Sequence, residues 1–224
     1  MRATDPVIAD PACAEARQDG LDLLAVVAGL KPVCLVGRGV GDDAWCATLR
    51  AAANGEGLIT VEATPWEPEG DLPGWYREAT ARRRARRNCL YFCRNEGIAV
   101  QVKVLSARGR VSADAEAWLL GYPRCCVAQH HERTLAYEHL LAQRTERLSR
   151  GDQARMIRLV ETGVEPIPAT RAEWDEVVAL TLIAPARGTS VNMCDECARD
   201  PASPAMRLAA DYARLAQRLR YRVT

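Results

Sequence analysis

Apolar and polar positions follow two different rhythms along the chain, and the change falls near Gly109. In the first half, short apolar runs alternate with stretches of helical period. Residues 20–30 carry leucine, alanine and valine at helical spacing, and PVCLVG (32–37) reads as a short buried strand ended by a glycine turn. Helical spacing returns over residues 42–53 and stops at Asn54-Gly55. LITVEA (58–63) is compact and β-branched, while AVQVKVL (99–105) alternates as a half-buried strand does. Between these two lies an arginine-rich segment that predicts a helix over residues 75–95, with Gly97 as its stop.

Strand, helix, strand, helix, strand at this spacing predicts right-handed crossovers and an α/β unit built on a small parallel, Rossmann-like sheet of three or more strands. From Ser112 onward the pattern is helical. Ser112 with Asp114 and Glu116 makes a cap and first turn, residues 121–123 break that helix, and a second spans 123–149. Further helices fit 152–163 and 171–182, and Ser203-Pro204 supplies an N-cap and first-turn proline for a last helix to about residue 221. The expected organisation is an α/β unit over 1–109 and a mostly helical, cysteine-rich part over 110–224.

Composition narrows the class. At 224 residues, with 48% hydrophobic and 26% charged residues, the chain suits one or two globular units. The longest apolar run is interrupted by Lys31-Pro32 and is too short for a membrane span. The first twenty residues hold two prolines and three aspartates before any apolar run, unlike a targeting segment, so a cytoplasmic location is expected. Net charge is +1, which provides no global field for nucleic acid.

Nine cysteines are many for a reducing compartment, where clustered thiols point to metal or redox chemistry rather than disulfides. Cys125 and Cys126 are adjacent, just behind Pro123, and Cys194 and Cys197 form a Cys-x-x-Cys far downstream. The second spacing turns two sulfurs toward one ion. Adjacent side chains diverge on a helix, but in a first turn the unpaired N–H groups and the positive end of the macrodipole favour thiolates. The four are therefore expected to converge on one metal. An iron–sulfur cluster accommodates adjacent cysteines more readily than a tetrahedral zinc, and if only three ligate, an open iron remains for Lewis-acid, redox or sulfur-transfer chemistry. His130, His131 and Glu132 would then donate protons. The rival is a non-enzymatic module in which zinc or a closed cluster staples helices for partner binding. Cys13, Cys34, Cys46, Cys89 and Cys93 read as buried filler.

The runs WLLGYPRCC and MCDECARDPASPAMRLAADYARL together resemble a family of uncharacterised prokaryotic proteins marked by Gly-Tyr-Pro-x-Cys-Cys and a later cysteine pair before a helix. That resemblance covers the chain from about Ser112 and implies that the cysteines belong together, without implying a reaction. The order Cys93, Cys125-Cys126, Cys194/Cys197 is also similar to the cysteine-rich domain of heterodisulfide reductase, which implies an iron–sulfur cluster; Val127 stands where that pattern has glycine.

Three other motifs compete. His130-His131-Glu132 with the Cys-x-x-Cys resembles the zinc nucleobase deaminases, although Met193 replaces the proline expected before the first cysteine. Gly37, Gly39 and Gly41 follow a strand and precede a helix, as a nucleotide-binding loop does, but Asp42 would repel a pyrophosphate and structural turn glycines are the simpler reading. The arginine run at 82–87 is a solvated helix face by default, with some side chains able to hold the phosphate or carboxylate of a small anionic substrate.

Overall fold

The computed structural model describes residues 14–37, 43–86, 89–181 and 193–218. Helix α1 (Ala14–Val27) leads into β1 (Val33–Gly37), α2 (Asp43–Gly55), β2 (Ile59–Ala63), β3 (Glu67–Pro68), α3 (Gly74–Ala85), β4 (Cys89–Cys93), α4 (Glu96–Arg108) and β5 (Arg110–Val111). Helices α5 (Ala113–Leu120), α6 (Arg124–Ser149), α7 (Gln153–Thr162), α8 (Arg171–Thr181), α9 (Asp195–Arg199) and α10 (Pro204–Arg218) follow. No helix among the described residues is long and apolar enough to cross a membrane.

The main sheet is not the expected parallel, Rossmann-like one. The main sheet has three strands in the order β1-β4-β2, and β4 pairs antiparallel with both neighbours. Strands β1 and β2 run in the same direction, as a β–α–β unit requires, but the later strand sits between them. Among the described residues, only the two-residue strands β3 and β5 pair in parallel.

Two segments account for the difference. Residues 99–105 are helical, inside α4, because Asn95 caps the start by accepting from the Ile98 N–H at 3.0 Å and Gly109, at φ 68°, ends it. The buried stripe is Ile98, Ala99, Val102 and Leu105, which is helical spacing, while Val100 and Val104 face outward. Conversely, the arginine-rich helix stops at Ala85, and Cys89-Leu90-Tyr91-Phe92-Cys93 becomes the central strand. A strand covered on both faces needs a continuous apolar run, and all five residues are buried.

That strand separates two cores. Leu90 and Phe92 face α1, α2 and α10 through Leu24, Leu49 and Leu215. Cys89, Tyr91 and Cys93 face α4 and α5 through Val102 and Leu119. Helices α3, α6 and α7 bury a third cluster around Tyr76, Ala79, Leu141 and Val160.

The arginine run is internally satisfied for the most part. Arg82 pairs with Glu78 at 3.2 Å and with Glu161 at 2.9 Å, Arg86 with Glu161 at 3.8 Å, and Arg84 with Glu67 at 3.6 Å.

Candidate metal centre

The path to the cysteines starts at the bend between α5 and α6. Ser112 caps α5, and Gly121 ends it at φ 72°, a left-handed conformation that favours glycine. A β-carbon on Gly121 would stand 2.9 Å from Cβ of Lys31, so the absence of a side chain also lets the bend approach β1 closely. Tyr122 then turns its hydroxyl to Lys31, which donates to it at 3.1 Å. Pro123 occupies the cap position of α6, and its missing N–H costs nothing there. Cys125 and Cys126 thus fall in the first turn of α6, as the sequence predicts.

Lys31 is itself the centre of a buried polar group. It stands 3.4 Å from Asp22 on α1, and Asp22 accepts from the Tyr212 hydroxyl of α10 at 2.7 Å. Gly-Tyr-Pro therefore ties the cysteine-bearing helix to both the sheet and the last helix.

The second cysteine pair is carried by α9. Cys194 is its N-cap, accepting from the Cys197 N–H at 3.4 Å, and the Cys194 N–H in turn donates to the Cys126 sulfur at 3.4 Å. The Cys125 and Cys197 sulfurs are 3.5 Å apart. All four Sγ atoms lie within 4.8 Å of one another. Cys126, Cys194 and Cys197 are buried, and Cys125 is exposed. Ala205, Tyr122, Met193 and Leu208 pack around them. These four cysteines lie close together and could hold a metal ion.

Polar contacts lock α9 onto α6. Gln129 accepts from the Asp195 N–H at 2.8 Å and donates to the Asp195 carboxylate at 3.0 Å, while Arg133 donates to its other oxygen at 2.9 Å. The Gln129 hydrogen bond and the Arg133 charge hold the Asp195 carboxyl below its usual range. Ser203 donates to the Cys197 carbonyl at 2.9 Å and caps α10 by accepting from Met206 N–H at 3.3 Å.

Helix-start position does not by itself ionise the thiols. Burial, with the hydrogen bond to Cys197, pushes the Cys125 thiol up to about 11. Burial drives Cys126 further up, although the Cys194 N–H opposes it. Cys197 moves the other way: burial resists its ionisation, but donation from Cys194, Cys125 and the Ala205 N–H outweighs it. The shifts therefore oppose one another: Cys125 and Cys126 hold their protons more tightly than a free thiol and Cys197 less tightly. A metal dication would replace the remaining protons.

The residues beside this centre do other work. His131 is buried and bonded through Nε2 to the Glu116 carboxylate, whose other oxygen accepts from Trp66 Nε1 at 3.2 Å. His130 has a buried Nδ1 with no hydrogen-bond partner among the described residues, and burial lowers its basicity. Glu132 is exposed. None of the three belongs to the four-residue group whose donor atoms converge. Cys93 lies in β4, fully buried, and Cys34 and Cys89 are likewise strand residues of the sheet. Gly37 ends β1, whereas Gly39, Gly41 and Cys13 lie outside the described residues. The Glu116–His131–Trp66 chain and the Asp195 clamp were not singled out from sequence; the helical i, i+4 spacing of Gln129 and Arg133 was the one local signal for the clamp.

Set against family models, curated proteins and solved structures, the chain matches none of them.

Proposed function

We propose that Cys125, Cys126, Cys194 and Cys197 bind a single zinc ion in a closed, structural site, and that the ion staples the start of α6 to α9 and α10. The sulfur spacing carries this reading. Four sulfurs at about 2.3 Å from one ion stand about 3.8 Å apart along the edges of a tetrahedron. The observed separations, from the 3.5 Å pair to the 4.8 Å limit, bracket that edge. A cluster distributes its thiolates over several iron atoms and holds them further apart. Adjacent side chains diverge on a helix, yet the Cys125 and Cys126 sulfurs both come within 4.8 Å of the Cys194 and Cys197 sulfurs.

Four thiolates around a dication leave two negative charges, and backbone N–H groups of Cys194, Cys197 and Ala205 already donate to the sulfurs. With four protein ligands there is no open position for substrate, which argues for architecture over chemistry at the metal. The ion would fix α10, and α10 closes the core over α1 through Tyr212 and Leu215. The protein's work then lies in what the stapled surface binds.

Elemental analysis and a visible spectrum of protein prepared without oxygen test this directly. One equivalent of zinc, no colour, and a strong blue-green spectrum on cobalt substitution are expected. A brown protein with iron and acid-labile sulfide would replace this reading with the iron–sulfur one.

A further inference from the structure

Apart from the metal centre, one cleft brings together a cation and an anion, Arg83 and Glu138, that form no ion pair among the described residues. It opens between β3 and helices α3 and α6, encloses about 220 Å³, and is lined by Trp66, Glu67, Thr80, Arg83, Arg84 and Glu138. That volume is below the range of about 300–1,000 Å³ usual for drug-sized ligands, so the fitting molecule is a small one.

The charges within it are unevenly satisfied. Arg82, Arg84 and Arg86 of the same helix all have carboxylate partners. Arg83 has neither an ion pair nor a hydrogen bond among the described residues, although it is only half-exposed. Across the cleft, Glu138 accepts from the Tyr76 hydroxyl but has no cationic partner within 4.0 Å among the described residues. Glu67 is also under-compensated: burial raises its carboxyl despite Arg84 at 3.6 Å. Arg83 thus shares the cleft with Glu138 and Glu67 and forms an ion pair within 4.0 Å with neither, acting on Glu67 only through its longer-range charge.

Trp66 supplies the apolar wall. Its indole is fixed by stacking on Tyr91, with centroids 5.0 Å apart, and by its N–H on Glu116 at 3.2 Å, so it is a preorganised surface.

We propose that this cleft binds a small zwitterion of the α-amino acid class, its carboxylate on Arg83, its ammonium between Glu138 and Glu67, and its side chain against Trp66. Arginine's planar fork suits a carboxylate. A simple anion would meet two glutamates, and a simple cation two arginines; a molecule carrying both charges satisfies each. This inference is independent of the metal centre and goes beyond the structural role proposed for it.

The test is calorimetric titration of the full, metal-loaded chain with the twenty α-amino acids, with acetate and methylammonium as single-charge controls at equal ionic strength. At least one amino acid should bind one-to-one with Kd at or below about 1 mM, and neither control should. Arg83→Gln and Glu138→Gln should each weaken that binding at least about tenfold, while circular dichroism and unfolding midpoint stay those of the parent. Arg83→Lys, which keeps charge but loses the fork, should fall between. The proposal is overturned if no amino acid binds with Kd at or below about 1 mM. It is equally overturned if acetate or methylammonium binds as well as the best amino acid, or if folded Arg83 and Glu138 variants bind like the parent.

Discussion

The Cys125 and Cys197 sulfurs meet at 3.5 Å across 72 residues of chain, one on the surface and the other buried. This asymmetry makes the four proposed ligands unequal. Replacing Cys125 by serine leaves three buried thiolates and a position that water can reach, so metal should be retained at reduced occupancy. Cys126→Ser, Cys194→Ser and Cys197→Ser each put a poor ligand where solvent cannot substitute, and should be isolated without metal. The metal-to-protein ratio after gel filtration measures the difference.

Metal removal should loosen α9 and the start of α10 first, because Ala205 and Leu208 pack on the sulfur group, while Leu208, Tyr212 and Leu215 also join the core between α1 and the sheet and pass part of the loss to it. A loss of about 3 kcal/mol would lower Tm by about 6–12 °C for a chain of this size. Calorimetry of chelator-treated and reloaded protein checks it, and hydrogen exchange should show the loss concentrated in residues 193–218.

Asp195 holds the second cysteine pair against α6 without being a ligand itself. Asp195→Ala removes the acceptor for Gln129 and Arg133 and should weaken zinc by about 10–100-fold, the scale typical of residues that orient ligands. Competition with a chromophoric chelator reads this, and the metal should still bind at saturation.

Much of the helical half was legible because its signals are local. Ser112 and Ser203 cap the helices they are expected to cap, Asp152 caps the helix expected over 152–163, and Gly121 and Gly163 end theirs in left-handed conformation. The convergence of four cysteines was also legible, from residue type and helix-start position. The sheet was not, for two reasons. Val100, Val102 and Val104 alternate like a strand, yet the cap at Asn95 and the stripe from Ile98 to Leu105 decide for a helix. Strand β4 follows the arginine run with no turn signal between, and its pairing with β1 and β2 depends on residues distant in sequence. The distances between the four sulfurs were likewise out of reach, since spacing along the chain does not specify them.

Lys31 predicts an alkaline limit to stability. Burial alone would lower its pKa, but Asp22 and the neighbouring Tyr122 and Tyr212 outweigh burial and hold the ammonium well above its ordinary range. In the unfolded chain the amine titrates at about 10.4. The contribution is therefore whole below about pH 10 and is lost as pH rises through the higher folded value. Lys31→Met strands Asp22 in the core and should cost about 3–5 kcal/mol near neutral pH. Urea unfolding from pH 8 upward should show the gap between parent and variant closing only in strong alkali.

Gly121→Ala tests the close approach at the bend. A side chain there meets Lys31 at 2.9 Å and must adopt φ 72°. The left-handed conformation alone costs about 1–2 kcal/mol, and the contact adds to it. The variant should lose both Tm and metal occupancy, since the bend positions Cys125 and Cys126.

Strand β4 enters a gap between two strands made before it, so a nascent chain carries β1 and β2 with open edges until residue 93 is in place. The segment that must fill the gap, Cys89-Leu90-Tyr91-Phe92-Cys93, is uncharged and apolar throughout, the composition that self-associates when it is left waiting. Arginines at 82–84, 86, 87 and 94 flank it on both sides. Arg82, Arg84 and Arg86 form ion pairs in the finished protein, and charge flanking an apolar strand is the kind that opposes self-association of unfinished chains.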